Sequence, residues 1–179
     1  MLIRSSESAL LVIDMQERLV PARRAPACTI RTTMRLLLAA AELDVPVCVT
    51  ELYPEGLGAT VPELGGAPGA TVISKTHFSC MEEPSFAAHF RSLGRKQAVI
   101  AGMEAHICVM QTAASLIEEG VDVFVVSDAT ASRSAESESA CIARLSAMGA
   151  GIVTTEMVVF EWLNRAGTPA FKKLLPLVK

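Results

Sequence analysis

The sequence predicts a three-layer α/β/α, Rossmann-like domain built on a six-stranded parallel sheet. Three observations point to it. Short apolar, β-branched runs alternate with amphipathic stretches along the whole chain, the pattern of βαβ units. The runs are almost continuously apolar (ALLVI, QAVIA, VDVFVV, AGIVT), as in strands covered on both faces. Glycines close the intervening helical stretches at Gly94, Gly120 and Gly149.

The elements follow in order. Ser8–Ile13 is the first strand and runs directly into Asp14. A helix is expected over Ile30–Leu43, where Met34, Leu37, Leu38 and Ala41 recur at helical spacing. Val45–Thr50 is the second strand. Glu51–Ala70 carries Pro54, Gly56, Gly58, Pro62, Gly65, Gly66, Pro68 and Gly69 and reads as a long loop of the kind that lids or lines a site. Thr71–Ser74 is the third strand, ending at Lys75. Pro84–Leu93 is helical, Gln97–Ala101 is the fourth strand, and Ile107–Glu119 is helical. Val121–Val126 and Ala150–Thr154 are the last strands, with a helix from Ser134 or Glu136 to Met148 between them. Helices are expected over Thr155–Arg165 and Thr168–Leu175, the latter opened by the cap pair Thr168-Pro169. No linker or low-complexity break interrupts the chain, so residues 1–179 form one domain.

Composition narrows the function classes. Net charge is −3, with no basic or acidic block, which argues against nucleic acid or an anionic membrane as partner. No apolar run approaches the roughly 18 residues that span a bilayer. The start, MLIRSSESALLVID, lacks the long apolar segment of a secretory signal, and a cleavable transit peptide would overlap the first strand. The five cysteines (Cys28, Cys48, Cys80, Cys108, Cys141) are odd in number and widely spaced. That argues against a disulfide framework and for a reducing, intracellular setting, cytoplasmic or mitochondrial. No metal-ligand spacing and no nucleotide-binding glycine motif is present, so no metal and no cofactor is expected.

Ligands of open α/β sheets bind at the carboxyl ends of the strands. Asp14, Lys75 and Cys108 all fall there, after strands one, three and four. A helix start and a nearby ammonium are expected to lower the pKa of a thiol, and a carboxylate can take its proton. Backbone amides around Cys108 would then receive an oxyanion. Each residue also has a plain structural role: a core thiol, a turn-capping Asp, a solvated strand-end Lys. Only their joint placement points to chemistry. Cys48 and Cys141 read as core, while Cys28 and Cys80 stay open. Tyr53, His77, Phe78 and His106 are candidates to line the pocket. His106 sits two residues before Cys108 and would face it only from a turn. His89 reads as a surface or capping residue.

The strings LLVIDMQERL, ISKTHFSCMEEPSF, VIAGMEAHICVMQTA and VFVVSDATASRS resemble the isochorismatase-like superfamily, most closely its cysteine hydrolase branch, over Ser8–Lys173. The resemblance implies an Asp-Lys-Cys triad of Asp14 as general base, Lys75, and Cys108 as nucleophile. It also implies a cis peptide at Met103–Glu104, with the Glu104 and Cys108 amides as oxyanion donors. The region TELYPEGLG lacks the Asp-x-His metal motif of the superfamily's nicotinamidases. Isochorismatases proper need no cysteine. The expected activity is therefore hydrolysis of a small amide or related acyl compound through a thioester. Vinyl-ether hydrolysis and a weakly active ligand-binding or scaffold role are the alternatives. Relatives are commonly oligomeric, so a homo-oligomer, dimer or higher, is expected. Trp162, in VVFEWL, is either an interface residue or an internal one.

Overall fold

The computed structural model describes residues 1–22 and 25–178. Six strands, all parallel, form one sheet: β1 (Ser8–Ile13), β2 (Val47–Leu52), β3 (Thr71–Lys75), β4 (Gln97–Met103), β5 (Asp122–Ala131) and β6 (Gly151–Val153), in the order β3-β2-β1-β4-β5-β6. The order reverses between β1 and its two neighbours β2 and β4, which creates a crevice at their carboxyl ends.

Seven α-helices flank the sheet among the described residues: α1 (Pro26–Glu42), α2 (Pro54–Leu57), α3 (Pro84–Ser92), α4 (Met110–Glu118), α5 (Ala135–Ala147), α6 (Thr155–Leu163) and α7 (Pro169–Val178). Alternation along the strands splits the core into two layers. Leu10, Val12, Val99, Ala101, Phe124 and Val126 pack beneath α1, α6 and α7, against Leu36, Val158 and Leu174. Ala9, Leu11, Ile13, Ala98, Ile100, Val123 and Val125 face α3, α4 and α5, against Phe86, Leu116 and Leu145. All six residues of β1 are buried. Burying each such aliphatic side chain is worth about 1.5–3 kcal/mol, which makes β1 the anchor of the fold.

Gly102 holds β1 against β4. Its φ is +128°, and a Cβ there would lie 2.0 Å from the Ile13 carbonyl oxygen. No larger residue fits this approach. Asp14 follows Ile13 directly, so the contact also fixes the floor of the crevice.

Several boundaries differ from the sequence expectation. α1 begins four residues earlier than Ile30, at Pro26, because Pro at its first turn suits a helix start. Its buried face carries Thr29, Thr32 and Thr33, which hide the apolar period. The expected loop contains the single-turn α2, entered through Tyr53 at φ +41° and Pro54. β5 runs five residues past Val126, after a register irregularity opposite Ile100–Gly102. Trp162 packs inside: it is 3% exposed and its indole Nε1 donates to Ser8 Oγ at 3.1 Å. No described helix is long and apolar enough to cross a membrane.

Candidate active site

Asp14 leaves β1 with φ +52° and is fully buried. Its two carboxylate oxygens are divided between two partners. Oδ1 accepts the Thr50 hydroxyl at 2.7 Å, and Oδ2 accepts Lys75 Nζ at 2.8 Å. Lys75 ends β3, two strands from Asp14, so its side chain crosses the end of β2, a span of roughly 9–10 Å between strand axes. Only a long side chain covers it. The Lys75 ammonium also donates to the carbonyls of His77 at 3.1 Å and Phe78 at 3.3 Å. All three of its protons thus have acceptors, as a buried charge requires.

Burial pulls the Lys75 pKa down, but Asp14, helped by Cys80 and Cys108, outweighs it, and the pKa lies above its ordinary value. Lys75 is therefore a fixed cation. It holds Asp14 in place and compensates its charge.

β4 leads to Cys108. After Met103 the Met103–Glu104 peptide is cis, and a single π-helical turn, Ala105–Val109, leads into α4. Cys108 lies in that turn and is 2% exposed. Its thiol differs from the expected activated thiolate. Burial raises its pKa most, Asp14 raises it further by charge and by a hydrogen bond, and Lys75 opposes them only in part. The resting thiol is protonated, and Asp14 is near enough to act on it. Proximity to an ammonium does not produce a thiolate when a carboxylate already neutralises that ammonium.

Beside Asp14 and Lys75, Thr50 escapes sequence reasoning and Cys80 is left open by it. Thr50 orients Asp14 from β2. Its position as the last residue of an expected strand, beside β1, was the available signal. Cys80 is buried, its amide donating to Thr112 Oγ1 at 2.9 Å and its thiol lying 3.9 Å from Thr50 Oγ1. Burial pushes the Cys80 thiol up to about 11, with Lys75 opposing. Cys48 is core in β2 and is pushed up to about 12 by burial and Cys80. Cys141 is core in α5, its thiol 3.0 Å from the Ala105 carbonyl. Cys28 is half-buried in the first turn of α1.

The pocket candidates separate. Tyr53 lines a cleft of about 510 Å³ together with Pro54, Glu55, Ser74, Lys75, Thr76 and Glu83. His77 and Phe78 grip Lys75 through their backbone carbonyls, while their side chains are exposed and His77 Nδ1 meets Glu83 at 3.3 Å. His106 turns away from the triad. Its Nδ1 lies 2.9 Å from Ser132 Oγ, and it lines a second cavity of about 260 Å³ with Met110 and Cys141. The expected grouping of His106 with Tyr53 in one pocket is thus replaced by two cavities, because the π-helical turn points His106 toward β5. Among the described residues no group of three or more His, Cys, Asp or Glu is placed to hold a metal.

A parallel three-layer sheet with polar residues at its strand-order reversal defines a Rossmann-like enzyme scaffold. Comparison with known proteins makes this specific. Residues 8–157 match the Isochorismatase domain family. Isochorismatase domain-containing protein 2 of Danio rerio is 40% identical over 172 residues, covering 96% of this chain and 86% of the relative. Among solved structures, the MAR1 ribonuclease of Caenorhabditis elegans superposes with a TM-score of 0.93 at 35% identity, covering 99% of this chain and 92% of that one. YcaC of Pseudomonas aeruginosa, solved with hexane-2,5-diol and covalent acrylamide, gives a TM-score of 0.93 at 27% identity, covering 98% and 91%. YcaC of Escherichia coli, described as an octameric hydrolase of unknown specificity, gives 0.93 at 27%, covering 98% and 90%. The chain belongs to the isochorismatase family and is an isochorismatase-family hydrolase.

Proposed function

We propose that this protein is a cysteine-dependent hydrolase of small amides or related acyl compounds, acting through a thioester on Cys108. One observation carries the proposal: Asp14, a buried carboxylate bonded by Thr50 and Lys75, lies near enough to the Cys108 thiol to act on its ionisation.

In this mechanism the substrate carbonyl seats against the amides of Glu104 and Cys108. As Cys108 Sγ attacks the carbonyl carbon, the thiol proton passes to Asp14 and the carbonyl oxygen becomes an oxyanion held by those amides. Asp14 then returns the proton to the departing nitrogen, the C–N bond breaks, and a thioester remains. Water attacks next, losing a proton to Asp14, and the thiolate leaves and recovers that proton. Lys75 holds the Asp14 carboxylate in place through each proton transfer. Paired buried charges of this kind place a base where neutral thiol chemistry can use it without a resting thiolate.

The covalent acrylamide in the Pseudomonas relative supports a reactive nucleophile in a protein of this fold, since acrylamide is bonded through its vinyl carbon with its amide left intact. The ribonuclease name of the C. elegans relative makes RNA the second substrate to test, although a net charge of −3 provides little electrostatic grip on it. The octameric E. coli relative supports self-association, which light scattering measures. All five cysteines are free thiols, which supports a reducing, intracellular compartment.

The test is a panel of small amides, esters, a vinyl ether and RNA, assayed with the parent and Cys108→Ala, with intact-protein mass spectrometry to trap an acyl adduct. An adduct on Cys108, and amide turnover lost in Cys108→Ala, are expected. Turnover of the vinyl ether that survives Cys108→Ala would replace the thioester mechanism. Binding without product across the panel would favour the scaffold role.

A further inference from the structure

The carboxylate of Glu104 is nearly buried, and it belongs to the residue whose backbone amide is proposed to receive the oxyanion. Its side chain is 4% exposed and takes three contacts from the Arg133 guanidinium. Oε1 accepts Arg133 Nη2 at 2.6 Å and Nε at 3.1 Å, and Oε2 accepts Nε at 3.1 Å. His106 Nδ1 adds a contact to Oε2 at 3.5 Å and bonds Ser132 Oγ at 2.9 Å. Ser132 is tied in turn to α5, its amide donating to Glu138 Oε2 at 3.0 Å.

This network joins two neighbouring strands at their ends. Met103 pairs with Ala131 in the β4–β5 register, so Glu104 and Ser132-Arg133 leave adjacent points of the sheet. Arg133 itself is 60% exposed on its side chain and touches none of Asp14, Lys75 or Cys108 among the bonds seen. A surface arginine spent on one buried carboxylate of the nucleophile turn suggests a task beyond solubility. A fork of guanidinium bonds fixes a carboxylate in orientation as well as position.

We propose that Arg133 is a positioning residue for oxyanion formation: its guanidinium fork holds Glu104, and with it the Glu104–Cys108 turn that carries the oxyanion-binding amides. This assignment rests on the thioester mechanism proposed above.

The experiment compares two reactions of the same thiol. Acylation of Cys108 by p-nitrophenyl acetate passes through a tetrahedral oxyanion, whereas alkylation by iodoacetamide does not. Both rates are measured for the parent, Arg133→Met and Arg133→Ala, with and without millimolar methylguanidinium, alongside a Cys108→Ala control. Small misplacements of a catalytic turn cost up to about 100-fold. Arg133→Met is therefore expected to slow acylation roughly 10- to 100-fold while alkylation stays within about twofold. Methylguanidinium is expected to recover part of the acylation rate in Arg133→Ala while leaving alkylation unchanged, a split that general loss of folding would not give. Unchanged acylation, or equal loss of both reactions, would overturn the assignment. Release of p-nitrophenol that is undiminished in Cys108→Ala would instead bring down the thioester mechanism, and the Arg133 role with it.

Discussion

Lys75 and Asp14 lie two strands apart, yet their charged atoms meet at 2.8 Å with both side chains fully buried. The bond is made over the end of β2, where Thr50 holds the second oxygen of the same carboxylate. Lys75→Met would leave a buried anion without its cation. Breaking such a pair costs about 3–5 kcal/mol. Chemical denaturation should show a loss of that order, and amide turnover should fall with it. Thr50→Val removes one bond to a charged acceptor, and about 1.5–3 kcal/mol is expected from the same measurement.

The direction of each influence on Cys108 predicts an inverted mutant pattern. Asp14 raises the thiol pKa and Lys75 lowers it. Asp14→Asn should shift the pH midpoint of iodoacetamide alkylation at Cys108 downward, so the thiol becomes more reactive at neutral pH while hydrolysis is lost. Lys75→Met should shift the midpoint upward. Mass spectrometry of tryptic peptides across a pH series reads both shifts. A parent Cys108 that alkylates fastest of all thiols at pH 7 would contradict the protonated resting state.

Alkaline pH should destabilise the protein through its buried thiols. Cys48 and Cys80 are raised from 9.0 to about 12 and about 11. A folded-state pKa above the unfolded value gives stability that is complete below the unfolded pKa and disappears as pH rises through the folded one. Urea midpoints should therefore hold steady up to about pH 9 and fall steadily between pH 9 and 12. The Lys75 pKa, raised above 10.5, acts in the same direction at the upper end of that window. Cys48→Ala should flatten part of the decline.

Gly102→Ala tests the β1–β4 approach. A Cβ placed 2.0 Å from the Ile13 carbonyl oxygen forces the two strands apart at the base of Asp14. We expect a loss of roughly 3 kcal/mol or more, since both the clash and the positive φ must be relieved. Thermal melting measures it, and residual activity should fall further than the melting temperature alone explains.

Much of the architecture was legible because its causes are local. The strands of the sheet announce themselves as unbroken apolar runs, and glycines end three helices. Asp14, Lys75 and Cys108 were legible because a parallel sheet collects strand ends at one edge. The ionisation of Cys108 was not legible. It depends first on how deeply the thiol is buried and then on the opposed charges of Asp14 and Lys75, and both follow from side-chain packing across three strands. His106 was placed one pocket away because the π-helical turn that redirects it carries no sequence period. The early start of α1 was hidden by Thr29, Thr32 and Thr33, which are polar in sequence but buried in place. Arg133 lay within a recognised string, but its bond to Glu104 joins positions 29 residues apart.

β3 closes one side of the sheet and pairs only with β2. Four of its five residues are exposed or half-exposed, and only Lys75 is buried. An edge strand thus carries the cation on which Asp14 depends. Strand edges of this kind open more readily than sheet centres. Mild heat or denaturant should therefore silence the enzyme before the core yields, because detachment of β3 withdraws the lysine while β1, β4 and β5 remain assembled.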